Sequence, residues 1–171
     1  MSKIRLFVTA KDRLIEHSQK GYDVPYKKEV GGHLLGYYEK NIYHIYVAEP
    51  YNARKRTRTS FDYDDNNFEK KARRLESELK LKWLGIYHSH IEIKHRASTK
   101  QSFEDKKSHI VSKVPIEIII RVANYGMNWP RECLAYEVPI KDHLYYFDIC
   151  GYLRDMRGGI KKIIIVESKK V

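Results

Sequence analysis

Apolar and polar residues alternate through Lys3-Ile4-Arg5-Leu6-Phe7-Val8-Thr9, the period of a strand with one buried face. Residues 10–20 change to a helical period, with Leu14, Ile15 and the His17-Ser18 pair on a partly apolar side. Pro25, between Tyr22 and Tyr26, marks a turn. Glu29–Tyr38 and Ile42–Ala48 read as two strands joined by the short loop Glu39-Lys40-Asn41, a hairpin. Pro50–Thr59 is polar and basic and reads as an exposed loop, and Phe61–Asp64 as a short strand. Asp64 or Asp65 would cap a helix running to about Lys80, in which Phe68, Ala72, Leu75 and Leu79 share one buried face. Its other face carries Lys70, Lys71, Arg73, Arg74, Glu76 and Glu78 and reads as solvated.

Trp83–His90 is an apolar run ending in His-x-His, which reads as a buried strand. Ile91–Thr99 is a polar loop carrying His95 and Arg96, and Ser102-Phe103-Glu104-Asp105 has the form of a helix start continuing through Lys106–Lys113. The isoleucine-rich stretch Pro115–Ala123 reads as a central buried strand. Cys133–Val138 is a further strand, and Leu144–Leu153 with Gly159–Val166 forms a terminal hairpin turning at Asp155-Met156-Arg157-Gly158. No repeat, linker or low-complexity segment interrupts the pattern.

Length and composition narrow the class. A chain of 171 residues fits one domain, and 42% hydrophobic residues suffice for a packed core. The apolar runs are too short to cross a bilayer, so no membrane association is expected. Two cysteines, Cys133 and Cys150, without a CxxC spacing or a leader segment, suggest buried thiols in a reducing, cytoplasmic setting, with a disulfide between them as the less favoured alternative. The net charge of +11 is spread over short clusters: Lys27-Lys28, Arg54-Lys55-Arg56, Lys70-Lys71, Arg73-Arg74, Lys106-Lys107, Lys161-Lys162 and Lys169-Lys170. No nucleic-acid motif accompanies them, which argues against nucleic acid as the main partner and for a surface suited to an acidic protein partner or to solubility.

The chemistry concentrates around His88 and His90. Side chains two apart on a strand point the same way, so the two imidazoles project together. Asp105, in the first turn of a helix capped by Ser102, is the next acidic residue able to join them. Two histidines and one carboxylate make a three-ligand zinc site whose fourth position is left to water, the catalytic form of zinc site. Upstream, Glu29-Val30-Gly31-Gly32-His33-Leu34-Leu35-Gly36 sets a carboxylate at the head of a glycine-punctuated strand, where it is available as a general base.

These pieces together resemble the JAB/MPN (JAMM) zinc metalloproteases. Their signature runs Glu, a Gly-x-Leu-x-Gly-like strand, His-x-His and Ser-x-x-Asp. Glu29, Gly32, Leu34, Gly36, His88, His90, Ser102 and Asp105 match it over roughly residues 1–125, with the strands of 131–171 beyond. The Glu-x-Gly-Gly-x-Leu-x-Gly form is most similar to the prokaryotic branch that accompanies ubiquitin-like conjugation machinery in bacterial antiphage operons. The resemblance implies a single α+β domain of α/β/α type, a mixed curved sheet flanked by helices, cytidine-deaminase-like. It implies Zn2+ on His88, His90 and Asp105, with Glu29 as base and Ser102 as oxyanion donor. The implied substrate is a ubiquitin-like protein with a C-terminal glycine tail, cleaved at a peptide or isopeptide bond, with conjugation-machinery proteins as further partners. A catalytically silent scaffold of the same family and a basic nucleic-acid-associated module are the alternatives.

Two departures bear on the site. Ile91 stands where the family has proline after the second histidine. The usual spacing puts Ser98 and Gln101, rather than Ser102 and Asp105, in the serine and ligand positions. A four-residue insertion would restore Ser102 and Asp105, and that assignment keeps both residue types. With Gln101 as the ligand, only a neutral carbonyl oxygen would face the metal.

Overall fold

The computed structural model describes residues 1–23, 25, 27–53, 57–59, 61, 66–93, 97–124 and 133–169. The basic cluster at 54–56, the proposed cap at Asp64 or Asp65, most of the proposed strand at 61–64, and His95 with Arg96 lie outside these residues.

The chain opens with β1 (Lys3–Phe7), whose Ile4 and Leu6 point inward and are fully buried. It turns directly into α1 (Val8–Asp23), so Val8 and Thr9, β-formers by type, are drawn into a helix. That helix buries Ala10, Leu14, Ile15, Ser18 and Tyr22. The hairpin follows as β2 (Gly31–Glu39) and β3 (Ile42–Tyr51). Its turn has Lys40 at φ 50° and Asn41 at φ 64°, the two positive values that a tight hairpin turn requires. The β2–β3 register shifts at Leu35/Gly36, where a Cβ on Gly36 would run into the His44 carbonyl.

Helix α2 (Asn66–Leu79) lays Phe68 and Ala72 against Tyr51, Trp83 and Ile86 and also buries Leu75, while Leu79, its last residue, is exposed. Strand β4 (Lys82–Ile91) then leads through α3 (Phe103–Ser112) to β5 (Ile116–Ala123), which lies parallel to it. The chain ends in β6 (Leu134–Ile140), β7 (His143–Arg154) and β8 (Ile160–Ser168). At the β7–β8 turn, the Asp155 carboxylate accepts from the Arg157 and Gly159 N–H groups.

The sheet closes. Its order is β5-β4-β2-β3-β1-β8-β7, and β7 returns to pair with β5 from Ile116↔Leu153 to Ala123↔Tyr146, making a seven-stranded mixed barrel. Strand β6 is appended to the other edge of β7. This corrects the expected α/β/α arrangement: the protein does not have the cytidine-deaminase-like MPN fold. Two features cause the difference. Strand β7, twelve residues long and buried over most of its length, bonds along both edges, so β5 is left with no free edge for an open sheet. And α1, rather than flanking the sheet, packs on β1, β3, β4 and β5 together. Its Leu14 and Tyr22 share one core with inward-facing Ile4, Leu6, Ile45, Ile118 and Ile120. Truncating Leu14 there would cost roughly 2–5 kcal/mol. Among the described residues, no helix is long and apolar enough to cross a membrane.

Candidate metal centre

Along β4 the inward row, Leu84, Tyr87 and Ile91, joins the barrel core, while Trp83 and Ile86 pack outward beneath α2. His88 and His90 extend the outward row, as the two-residue period requires. Their Nε2 atoms stand 2.9 Å apart. Helix α3 begins beside them: Ser102 is its N-cap, with φ −69° and ψ 176°. A capping box closes the first turn. Ser102 Oγ accepts from the Asp105 N–H at 3.1 Å, and Asp105 Oδ2 accepts from the Ser102 N–H at 2.7 Å. The box turns the Asp105 carboxylate toward the histidines, with Oδ1 3.3 Å from His88 Nε2 and Oδ2 3.3 Å from His90 Nε2. These three residues form one group able to hold a metal ion.

The donor set fits zinc. Tetrahedral coordination with zinc–nitrogen bonds of about 2.0–2.1 Å separates two ligand nitrogens by about 3.3 Å, close to the 2.9 Å between the imidazoles. Each ring also has its second nitrogen beside an oxygen. His90 Nδ1 is 2.6 Å from the Ser98 carbonyl, and His88 Nδ1 is 3.3 Å from Glu117 Oε1. At His90 that hydrogen bond sets a proton on Nδ1 and leaves Nε2 to ligate; at His88 the Glu117 oxygen stands in ion-pair contact, outside hydrogen-bond geometry. The charges are strongly coupled. Burial works against the Asp105 anion, yet His88, His90 and the Ser102 N–H hold its carboxyl well below the usual carboxylate range. Burial likewise disfavours a charged His88, but Asp105 and Glu117 raise it well above the ordinary imidazole value.

Glu29 approaches from β2. Gly31 pairs with His88, the Ser89 N–H donates to the Val30 carbonyl, and Ser89 Oγ accepts from the Val30 N–H. The Glu29 side chain is only 6% exposed, and burial pushes its carboxyl up to about 8, with His88 pulling it down and Asp105 pushing it further up. Ser102 is exposed; its oxygen caps the helix while its hydroxyl hydrogen stays available to donate.

Of the two spacings that the sequence leaves open, the structure brings Asp105 to the imidazoles. Gln101 sits one layer behind, bonded through Nε2 to Glu117 and to His109 Nδ1, the latter at 3.2 Å. Ser98 contributes its carbonyl rather than its hydroxyl. Glu117 and His109, both fully buried, are the site residues that sequence reasoning missed. The available signal was an acid set inside the run Ile116-Glu117-Ile118-Ile119-Ile120.

The cysteines also differ from expectation. Cys133 and Cys150 are joined as a disulfide with Cα atoms 5.3 Å apart, so the expected pair of buried thiols, and the compartment inferred from it, lose their basis.

No family model matches the chain, and no curated protein matches it. A solved structure does: the solution structure of protein DSY2949 from Desulfitobacterium hafniense, with a TM-score of 0.65 at 16% identity, over 98% of this chain and 94% of that one. At that identity the likeness speaks for a shared fold alone.

Proposed function

We propose that the protein is a zinc-dependent peptidase or isopeptidase acting after the C-terminal glycine of a ubiquitin-like modifier. The reading rests on the site and not on the fold, since one constellation recurs on unrelated scaffolds. The observation that carries it is the convergence of His88, His90 and Asp105, with the buried carboxyl of Glu29 delivered by the adjoining strand. The substrate class comes from the resemblance to the JAMM proteases.

His88 Nε2, His90 Nε2 and the Asp105 carboxylate would hold zinc. When bound, the metal supplies Lewis acidity and lowers the pKa of a water in its open position to about 7. Glu29 accepts a proton at its carboxylate and returns it to the leaving amine; burial raises its carboxyl in the metal-free protein, and a cation on the neighbouring ligands would draw it back toward the ionised form that a base needs. Ser102 donates its hydroxyl hydrogen to the developing oxyanion, an interaction worth about 3 kcal/mol in the transition state. The extended tail of the substrate would approach the imidazoles across the start of α3, where Ser102 and Phe103 are exposed.

Elemental analysis of protein supplied with zinc tests the reading. One zinc per chain in wild type, lost in Asp105→Ala and His90→Ala, is the expected result. Glu29→Ala should keep the zinc and lose cleavage of a ubiquitin-like fusion at its terminal glycine. Wild type without zinc would overturn the enzyme reading and leave a binding module.

A further inference from the structure

Glu117 takes no part in that chemistry, yet it is the most completely buried acid among the described residues, at 0% exposure. On β5, Ile116, Ile118 and Ile120 face the barrel core, so Glu117 points outward with Ile119, toward β4 and α3. An ionised carboxylate without solvent is tolerated only when it is well partnered. The Gln101 side-chain amide bonds Glu117 Oε2, while Oε1 faces His88 Nδ1 in ion-pair contact at 3.3 Å, outside hydrogen-bond geometry, and has no hydrogen bond among the described residues.

The protons around it can be placed consistently. His109 Nε2 lies 3.2 Å from the Pro115 carbonyl, which can only accept, so that nitrogen carries the hydrogen. His109 Nδ1 is then an acceptor. It takes one hydrogen of the Gln101 amide, whose second hydrogen goes to Glu117 Oε2. Both amide hydrogens are used, and Gln101 is locked with its NH2 toward the carboxylate. That leaves Glu117 Oε1 to face His88. The same layer is tied to β7, where the Tyr152 hydroxyl donates to the Thr99 carbonyl at 2.7 Å, two residues before Gln101.

We propose that Glu117 is the positioning carboxylate of the metal centre, fixing the Nδ1–H tautomer of His88 and making its Nε2 a stronger ligand, with Gln101 and His109 holding Glu117 in place. The inference rests on the zinc reading above. It also gives Gln101 a role: it orients the acid behind the first ligand and is not itself a ligand. The His88–Glu117 contact is longer than the ~2.8 Å of a charge-assisted hydrogen bond. A cation held at Nε2 would acidify Nδ1–H and favour its donation to Glu117. His90, backed by a neutral carbonyl, receives no such anionic support.

Zinc affinity by chelator competition, measured beside the urea stability of the metal-free protein, tests this. Glu117→Gln keeps the shape and removes the charge. It should weaken zinc 10–100-fold, the usual cost of losing an outer partner of a metal ligand, while the metal-free protein is as stable as wild type or more so. A merely structural residue would lower stability and leave the affinity of the folded fraction unchanged. Gln101→Met, which frees Glu117 without touching its charge, should weaken zinc several-fold and serves if Glu117→Gln does not fold. Wild-type zinc affinity in folded Glu117→Gln, or in folded Gln101→Met where Glu117→Gln does not fold, would overturn the inference and leave the zinc site standing. Absence of zinc from wild type would overturn both.

Discussion

His33 offers a test of the packing between the barrel and α2. It sits on β2 at 0% exposure, with its ring centroid 4.0 Å from Phe68, 5.7 Å from Tyr51 and 5.8 Å from Trp83. Among the described residues, neither ring nitrogen has a hydrogen-bond partner. Burial, helped by the nearby Lys71 cation, pushes its pKa down from 6.5 to about 3. The unfolded chain therefore binds a proton below pH 6.5 that the folded protein refuses until about pH 3. Stability from this residue is complete above pH 6.5 and is lost as pH falls through that window. One pKa unit corresponds to about 1.4 kcal/mol, so the loss reaches about 2 kcal/mol at pH 5 and approaches roughly 5 kcal/mol at pH 3. In His33→Phe the ring remains among the aromatic side chains and nothing titrates. The assay is urea unfolding of metal-free wild type and variant at pH 7.5 and pH 5. Wild type should lose about 2 kcal/mol more than the variant between those values. Any overpacking by the larger ring is common to both pH values and cancels. Equal losses in the two proteins would refute the reasoning and mean that His33 is protonated, or reaches water, in the folded state.

Two further outcomes are expected. Ser102→Ala removes the acceptor for the Asp105 N–H and should cost about 1 kcal/mol in thermal or urea unfolding. The Asp105 carboxylate keeps its bond from the Ser102 N–H, so zinc content should hold while turnover falls roughly 100–1,000-fold. Reducing Cys133–Cys150 opens a loop of sequence separation 17, and the loss of that closure should lower urea stability by about 3 kcal/mol. Unchanged stability with and without reductant would remove the disulfide from the account.

Secondary structure was largely legible because each element has its own period. The outward pairing of His88 and His90 follows from strand geometry, and the turning of Asp105 from the Ser-x-x-Asp capping box. Barrel closure was not legible. The alternation in β5 and β7 is the same whether their edges meet or stay apart, and the pairing Ile116↔Leu153 joins residues far apart in sequence. The disulfide was hidden for a similar reason. Cys133 and Cys150 meet only because β6 folds back along β7 in a register that sets Leu134 opposite Ile149. Glu117 was concealed by its isoleucine neighbours, whose apolar character dominates any reading of that strand.

The mismatch between a legible site and an unexpected fold has a local explanation. Every proposed site residue lies on one continuous patch: Glu29 at the head of β2, His88 and His90 on β4, Ser102 and Asp105 at the start of α3, and Glu117 on β5. The unit β4–α3–β5 is a parallel crossover whose geometry depends on its own two strands and helix. Closure of the barrel through β7, β8 and β1 happens on the far sides of β5 and β3. A motif that specifies only the crossover and the neighbouring strand therefore fixes the site and is silent about how the sheet ends. Closure still matters for access. With α1 filling the barrel, the proposed polypeptide substrate would approach the imidazoles from outside, and among the described residues the start of α3, where Ser102 and Phe103 are exposed, offers such a face.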